Sequence, residues 1–235
     1  MTTEASGSMN DAGVAGFLFD LDGTLVDSVY QHVLSWHDAL CAEGIELSVW
    51  RIHRRIGMSG GLFTNALLRE TDVEMSEERR KRLRDAHAAA YQGRHAAQVR
   101  GLPGARELLD YLTARHVPWA IATSGRMESA SVTVSKLGLD ARKIPIVTRD
   151  QVRYAKPDPD LFLAAAARLS IDVRNSIVVG DSVWDLLAAR RAGALGVGLL
   201  SGGYGQDELE RAGAYRVYED PKDLLKHLDE VGVRR

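Results

Sequence analysis

The sequence predicts an α/β protein, with a parallel sheet covered by helices on both faces and an all-helical segment inserted near its start. Three observations predict this. From Pro103 onward, short apolar runs alternate with helix-length segments of 3.6-residue periodicity, the pattern of a parallel sheet with crossover helices. A similar apolar run, Val14 to Phe19, stands alone upstream, and from Ser28 to about Ala96 no strand-like run appears. Several of the runs end in polar residues able to do chemistry, and open α/β sheets place their ligands at the carboxyl ends of strands.

Val14 to Phe19 is the first strand, apolar enough to be buried on both faces. Tyr30 to Glu43 is a helix with Val33, Trp36, His37 and Leu40 at helical spacing, ended by Gly44. Short helices follow at Val49 to Ile56 and Leu62 to Arg69. Ser76 is a good N-cap for a charged helix running to about His95, with Glu77 and Glu78 in its first turn. In the second half, helices are predicted over Pro103–Arg115, Met127–Leu137, Pro159–Leu169 with Asp158 as N-cap, Val183–Arg191, and from Asp220-Pro221 to Leu228. Between them lie strands at Trp119–Ala122, Ile144–Val147, Ser176–Val179, Leu195–Leu200 and, more weakly, Tyr215–Val217. The resulting organisation is a polar tail over 1–12, a discontinuous core over 13–27 and 97–235, and a helical insert over 28–96, with the two connections acting as a hinge pair.

Composition narrows the function classes. Among 235 residues, 45% hydrophobic and 26% charged describe an ordinary globular protein. A net charge of -2 gives no general attraction to nucleic acid. No apolar run reaches bilayer-spanning length, so no membrane partner is expected. The first residues lack the basic and apolar regions of a secretory signal, and the single cysteine, Cys41, rules out an internal disulfide. A cytoplasmic setting and a monomer or homodimer are expected.

The chemistry gathers at strand ends. The first strand runs into Asp20-Leu21-Asp22-Gly23-Thr24. Side chains two apart on an extended backbone point the same way, so Asp20 and Asp22 are expected to converge. Carboxylates that close repel unless a cation or a shared proton intervenes. A calcium loop is excluded, because its sixth and twelfth positions hold Leu25 and Gln31 instead of Gly and Glu. A metal site, an acid/base pair and a plain turn all remain open on this stretch alone. The second strand ends in Thr123-Ser124-Gly125, a hydroxyl and free amides before a helix, which suits a phosphate group as well as it suits simple capping. Lys156 sits in a proline-rich segment, either as a fixed anion-binding ammonium or as a solvated surface lysine. Gly180-Asp181, with Asp185 four residues on, ends another strand in an acidic turn. Together these groups pair phosphate binding with cation binding, the combination phosphoryl transfer needs.

This set, in this order, resembles the haloacid dehalogenase-like hydrolase superfamily, whose core is Rossmann-like. The helical insert after the first motif is similar to the type I cap of phosphoglycolate phosphatase-like and β-phosphoglucomutase-like members. The resemblance implies roles. Asp20 is the nucleophile that forms an aspartyl-phosphate, and Asp22 is the general acid and then the base. Thr123, Ser124, Gly125 and Lys156 hold the transferring phosphoryl group. Mg2+ is held by Asp20, the main-chain carbonyl of Asp22, and Asp181, with Asp185 behind them or acting through water.

The expected activity is Mg2+-dependent hydrolysis of a small phosphorylated metabolite. A phosphomutase of the β-phosphoglucomutase type is the alternative, and a non-catalytic binding protein on the same fold is a third reading from another class. In the insert, His53, Arg55, Gly57, Met58 and Ser59 are candidates for contacts to the substrate's leaving group, since Gly57, Gly60 and Gly61 allow a close backbone approach. Ser28 to Arg80 contains no lysine, which disfavours Schiff-base chemistry in the insert.

Overall fold

In the computed structural model, which describes residues 15–58, 60–71 and 76–233, the first strand, β1 (Gly16–Phe19), lies in the middle of a six-stranded sheet. The predicted 1–12 tail, Val14 and Ser59 lie outside the described residues. β1 is flanked by β4 (Trp119–Thr123) on one side and β6 (Ser176–Gly180) on the other, both parallel to it. β5 (Ile146–Thr148) extends the sheet beyond β4, while β7 (Leu195–Leu199) and β8 (Ala214–Tyr218) extend it beyond β6. The order β5-β4-β1-β6-β7-β8 grows first to one side of β1 and then to the other. That reversal opens a crevice at the carboxyl ends of β1, β4 and β6.

The apolar alternation of β1 explains its place. Phe17 and Phe19 face one layer, with Leu108 and Leu112 of α5 (Ala105–Ala114) and Val134 of α6 (Met127–Ser135). Leu18 faces the other, with Phe162 and Ala165 of α7 (Asp160–Arg168) and Ala188 of α8 (Val183–Ala192). A strand covered on both faces has to be apolar on both, which is why it reads as a continuous run.

The insert holds α1 (Val29–Ala42), α2 (Val49–His53), α3 (Gly60–Thr71) and α4 (Glu77–Ala90), around an apolar cluster of their own that includes Val33, Trp36, Leu40, Ile52, Phe63 and Leu83. Its two connections are the strands β2 (Val26–Asp27) and β3 (Arg100–Gly101), paired antiparallel. Such short strands leave no alternation in the sequence, so they could not be read from it.

Other boundaries also differ from expectation. α2 stops at His53 because the chain turns through Arg54–Met58, with Gly57 at φ +92°. The long charged helix ends at Ala90 and continues as a π-helical turn, Tyr91–His95, which contains Gly93, a poor helix former. Pro159, not Asp158, takes the N-cap position of α7, and Asp158 instead lies 3.4 Å from Arg191. α9 (Gln206–Ala212) was not expected, since its polar run offers only Leu209 and Ala212 to the core. The final helix, α10, spans Pro221–Lys226. No helix among the described residues is long and apolar enough to cross a membrane.

Candidate active site

The carboxyl ends of β1, β4 and β6 bring Asp20, Thr123 and Asp181 to one cavity of about 540 Å³, roofed by the helical insert. Asp20 follows the last residue of β1, and its amide donates to the Val179 carbonyl at 2.9 Å. Its carboxylate is ion-paired to Lys156, which is wholly buried and also lies 2.8 Å from Asp185. Lys156 is therefore not a solvated surface lysine. Its ammonium is the counter-charge packed behind Asp20, with its apolar surroundings completed by the Phe162 ring at 5.2 Å.

Asp22 does not continue the strand alternation. The backbone turns at once, with the amides of Leu25 and Val26 bonding the Leu21 carbonyl and Gly23 at φ +84°. Asp22 still lines the cavity, but its carboxylate accepts from Ser28 at 2.6 Å and meets Nε2 of His32, on α1, at 3.3 Å. Asp20, Asp181 and Asp185 instead form the tight group, with one oxygen from each within 4.8 Å of the others. The Asp22 carboxylate is outside this group.

Asp181 is gripped from three sides. Thr24 donates to it at 2.9 Å, and a Cβ at either Gly23 or Gly202 would overlap its carboxylate. Asp185 caps α8 reciprocally with Ser182, accepting from the Ser182 amide at 3.1 Å, and Gly180 leaves the room its side chain occupies.

Charge crowding sets the electrostatics. Burial pushes the Asp20 carboxyl up to about 7; Lys156 opposes the shift while Asp185 and Asp22 add to it. Burial, Asp185 and Asp20 hold Asp181 well above the usual carboxylate range. Burial disfavours the Lys156 ammonium, yet Asp185 and Asp20 outweigh that and raise its pKa. Asp22 differs: burial works against its charge, but His32 and Ser28 hold its carboxyl below the ordinary value. One ammonium among three converging carboxylates leaves negative charge that a hard cation would neutralise. Oxygen-only donors of this kind suit Mg2+, so Asp20, Asp181 and Asp185 fit that ion.

The remaining predicted residues divide. Thr123 is buried at the cavity floor, and its hydroxyl accepts from the Gly125 amide at 3.0 Å. Ser124 and Gly125 line the cavity, and the Ser124 hydroxyl donates to the Gly57 carbonyl of the insert at 2.9 Å. Gly57, Met58 and Arg55 line the roof, although the Arg55 guanidinium is engaged by Glu70 and by the Arg51 carbonyl. His53 does not line the cavity: it is buried between Tyr30 and Tyr204 with Nε2 on the Gly202 carbonyl, so a substrate contact is replaced by a contact to the core. Sequence reasoning gave no site role to His32 or to Tyr91, which stacks on His32 and lines the cavity, and it read Thr24 only as part of the first motif, without its bond to Asp181. His32 carries one usable signal, its position one helical turn before Trp36 on the apolar stripe of α1.

Comparison with known proteins places this geometry. The profile of the haloacid dehalogenase-like hydrolases matches residues 14–193. Hexitol phosphatase A of Escherichia coli (strain K12) is 33% identical over 180 residues, covering 76% of this chain and 79% of that protein. Phosphoglycolate phosphatase of Agrobacterium fabrum is 29% identical over 186 residues, covering 79% and 80%. The crystal structure of a hydrolase from Pseudomonas syringae superposes with a TM-score of 0.91 at 57% identity, over 93% of this chain and 100% of that one. With its parallel sheet, helical insert and acidic strand-end site, the chain belongs to the haloacid dehalogenase-like hydrolase family and is an enzyme.

Proposed function

We propose that this enzyme is a Mg2+-dependent phosphatase that hydrolyses a small phosphomonoester through an aspartyl-phosphate on Asp20. The observation that carries the proposal is the buried ion pair that Lys156, behind the cavity wall, makes with Asp20, which lines the same cavity as Asp22 and Thr123. An ammonium against Asp20 favours the ionised carboxylate that must attack phosphorus, in a setting where burial alone would keep it protonated. In this reading Asp22 is the general acid and then the base: free, it is held ionised by His32 and Ser28, and the negative charge of a bound phosphoryl group beside it would raise its carboxyl so that it carries the proton given to the leaving oxygen, after which it takes one from the attacking water. Thr123 and the amides near Ser124 and Gly125, at the start of α6, suit the oxygens of the transferring group. Mg2+ would be held by Asp20 and Asp181, with Asp185 alongside, and supplies charge neutralisation for the phosphoryl oxygens.

Residues 28–96 act in this proposal as a cap. Their roof over the cavity supports exclusion of water and reading of the leaving group. The curated relatives include phosphatases named for a hexitol and for phosphoglycolate, and a small phosphorylated metabolite is the corresponding substrate class.

The test is phosphate release from a panel of metabolite monoesters with and without Mg2+, alongside Asp20→Asn. Turnover is expected to require the cation, to vanish in Asp20→Asn, and to pass through a trapped phosphoryl adduct on Asp20. Wild-type phosphate release by Asp20→Asn sinks the mechanism, and isomerisation primed by a bisphosphate without net phosphate release identifies a mutase instead.

A further inference from the structure

His53, expected to touch substrate, is committed elsewhere, and what it holds is next to the carboxylate cluster. Its Nε2 lies 2.7 Å from the Gly202 carbonyl. A carbonyl only accepts, so this nitrogen carries the proton and donates. The ring stacks on Tyr30 at 5.3 Å and 8° and leans on Tyr204 at 5.6 Å, which leaves it little freedom to turn. Gly202 in turn packs its backbone against the Asp181 carboxylate so closely that a Cβ there would overlap it. The neighbouring Ser201 donates to the Gly23 carbonyl at 2.6 Å, and Gly23 too lies so close to the Asp181 carboxylate that a Cβ there would overlap it. The loop after β7 is thus wedged against Asp181, tied from below by Ser201 and from above by a residue of the helical insert.

The same stretch of the insert grips the core at further points. The Arg54 carbonyl accepts from Tyr204 at 3.0 Å and from Trp184 at 3.3 Å, and the Gly57 carbonyl accepts from Ser124. Tyr204 belongs to the same loop, so Arg54 holds its far end, while His53 bonds the carbonyl of Gly202 itself, the residue whose backbone limits where the Asp181 carboxylate can lie.

We propose that His53 is a positioning residue for the cation site: through the Gly202 carbonyl it holds the 201–204 loop against Asp181, so that closure of the helical insert and cation binding strengthen each other. The inference rests on the Mg2+ reading of the Asp20, Asp181 and Asp185 cluster proposed above. Coupling of this kind is reciprocal: whatever closure adds to cation affinity, the bound cation adds to closure. Groups that orient a metal ligand without touching the metal typically set its affinity by roughly 10–100-fold.

The experiment is a Mn2+ titration of the full-length, chelator-stripped protein, read by the loss of the free-ion EPR signal, which needs no turnover. His53→Phe keeps a flat ring between Tyr30 and Tyr204 but has no donor. His53→Gln puts an N–H at about the same reach. His53→Phe is expected to weaken Mn2+ binding by roughly 10–100-fold, with His53→Gln close to wild type. Equal affinity of His53→Phe and wild type overturns the proposal. So does His53→Gln binding as weakly as His53→Phe, because the loss then belongs to ring packing and not to the donated bond. If His53→Phe loses its cooperative melt, Ser201→Ala takes over the test: it loosens the same loop from the core side, the same weakening is expected, and unchanged affinity overturns the proposal. A wild-type protein that binds no Mn2+ overturns the cation reading itself, a result distinct from either of the others.

Discussion

Replacing Lys156 with methionine keeps most of the buried stem and removes the ammonium held between Asp20 and Asp185. Two buried carboxylates are left without that counter-charge. Removing one partner of a buried ion pair costs about 3–5 kcal/mol. For a chain of 235 residues each kcal/mol moves the melting temperature by roughly 2–4 °C, so a fall of about 6–20 °C is expected. The loss has a definite pH dependence. Asp20 has its pKa pushed up to about 7 from 3.8, so its protonated form contributes stability that is complete below pH 3.8 and is lost as pH rises through 7. Without Lys156 that pKa climbs further, and the deficit of the variant relative to wild type grows between pH 5 and pH 8. The assay is thermal and urea unfolding of both proteins in chelator at those two pH values, repeated in excess Mg2+, which should restore part of the loss at pH 8. A Lys156→Met protein as stable as wild type at pH 8 in chelator refutes the assignment of Lys156 as the counter-charge of the site.

Asp22→Asn should lower turnover of alkyl phosphates by about 10²–10⁴-fold and that of p-nitrophenyl phosphate much less, because nitrophenolate leaves without a proton; equal losses on both would remove Asp22 from the proton-transfer role. His87 lies half-buried beside Trp36 and His32, and the burial of its ring holds its pKa well below 6.5, with His32 adding to the effect. Its neutral form contributes stability that is complete above pH 6.5 and falls as pH drops below it, so His87→Phe should flatten the decline in melting temperature between pH 7 and pH 5, and an unchanged slope counts against this account. Arg54 and Glu208 tie the helical insert to α9, but their side chains are 37% and 41% exposed, so a double-mutant cycle should give a coupling of only about 0.2–1 kcal/mol that shrinks in high salt. A salt-insensitive coupling of several kcal/mol would contradict that estimate.

Much of the fold was legible because its signals are local. The strands around Phe17–Phe19, Ile121 and Val178 are apolar runs, since each is covered on both faces. The helix ends at Gly44, Ser76 and Gly193 are marked by residues whose backbone or hydroxyl suits a terminus. The site was legible for the same reason: Asp20, Thr123 and Asp181 each stand directly at the end of a strand, and parallel strands of one sheet must end at one edge. Where tertiary contacts overrode local preference, as in the β2–β3 ribbon, the π-helical turn at Tyr91–His95 and the polar α9, periodicity carried no usable signal.

By itself the sequence determined which groups reach the carboxyl edge of the sheet, because strand period and strand ends are properties of neighbouring residues. Only the tertiary structure decided what each group faces. Lys156 meets Asp20 across 136 positions, His53 meets Gly202 across 149, and Thr24 meets Asp181 across 157. The turn at Gly23 sent Asp22 towards His32 and away from the three-carboxylate cluster. The physical reason is the same for all four: burial and partner charge, which set the direction of a side chain and the pKa of a carboxylate, exist only once distant segments have packed.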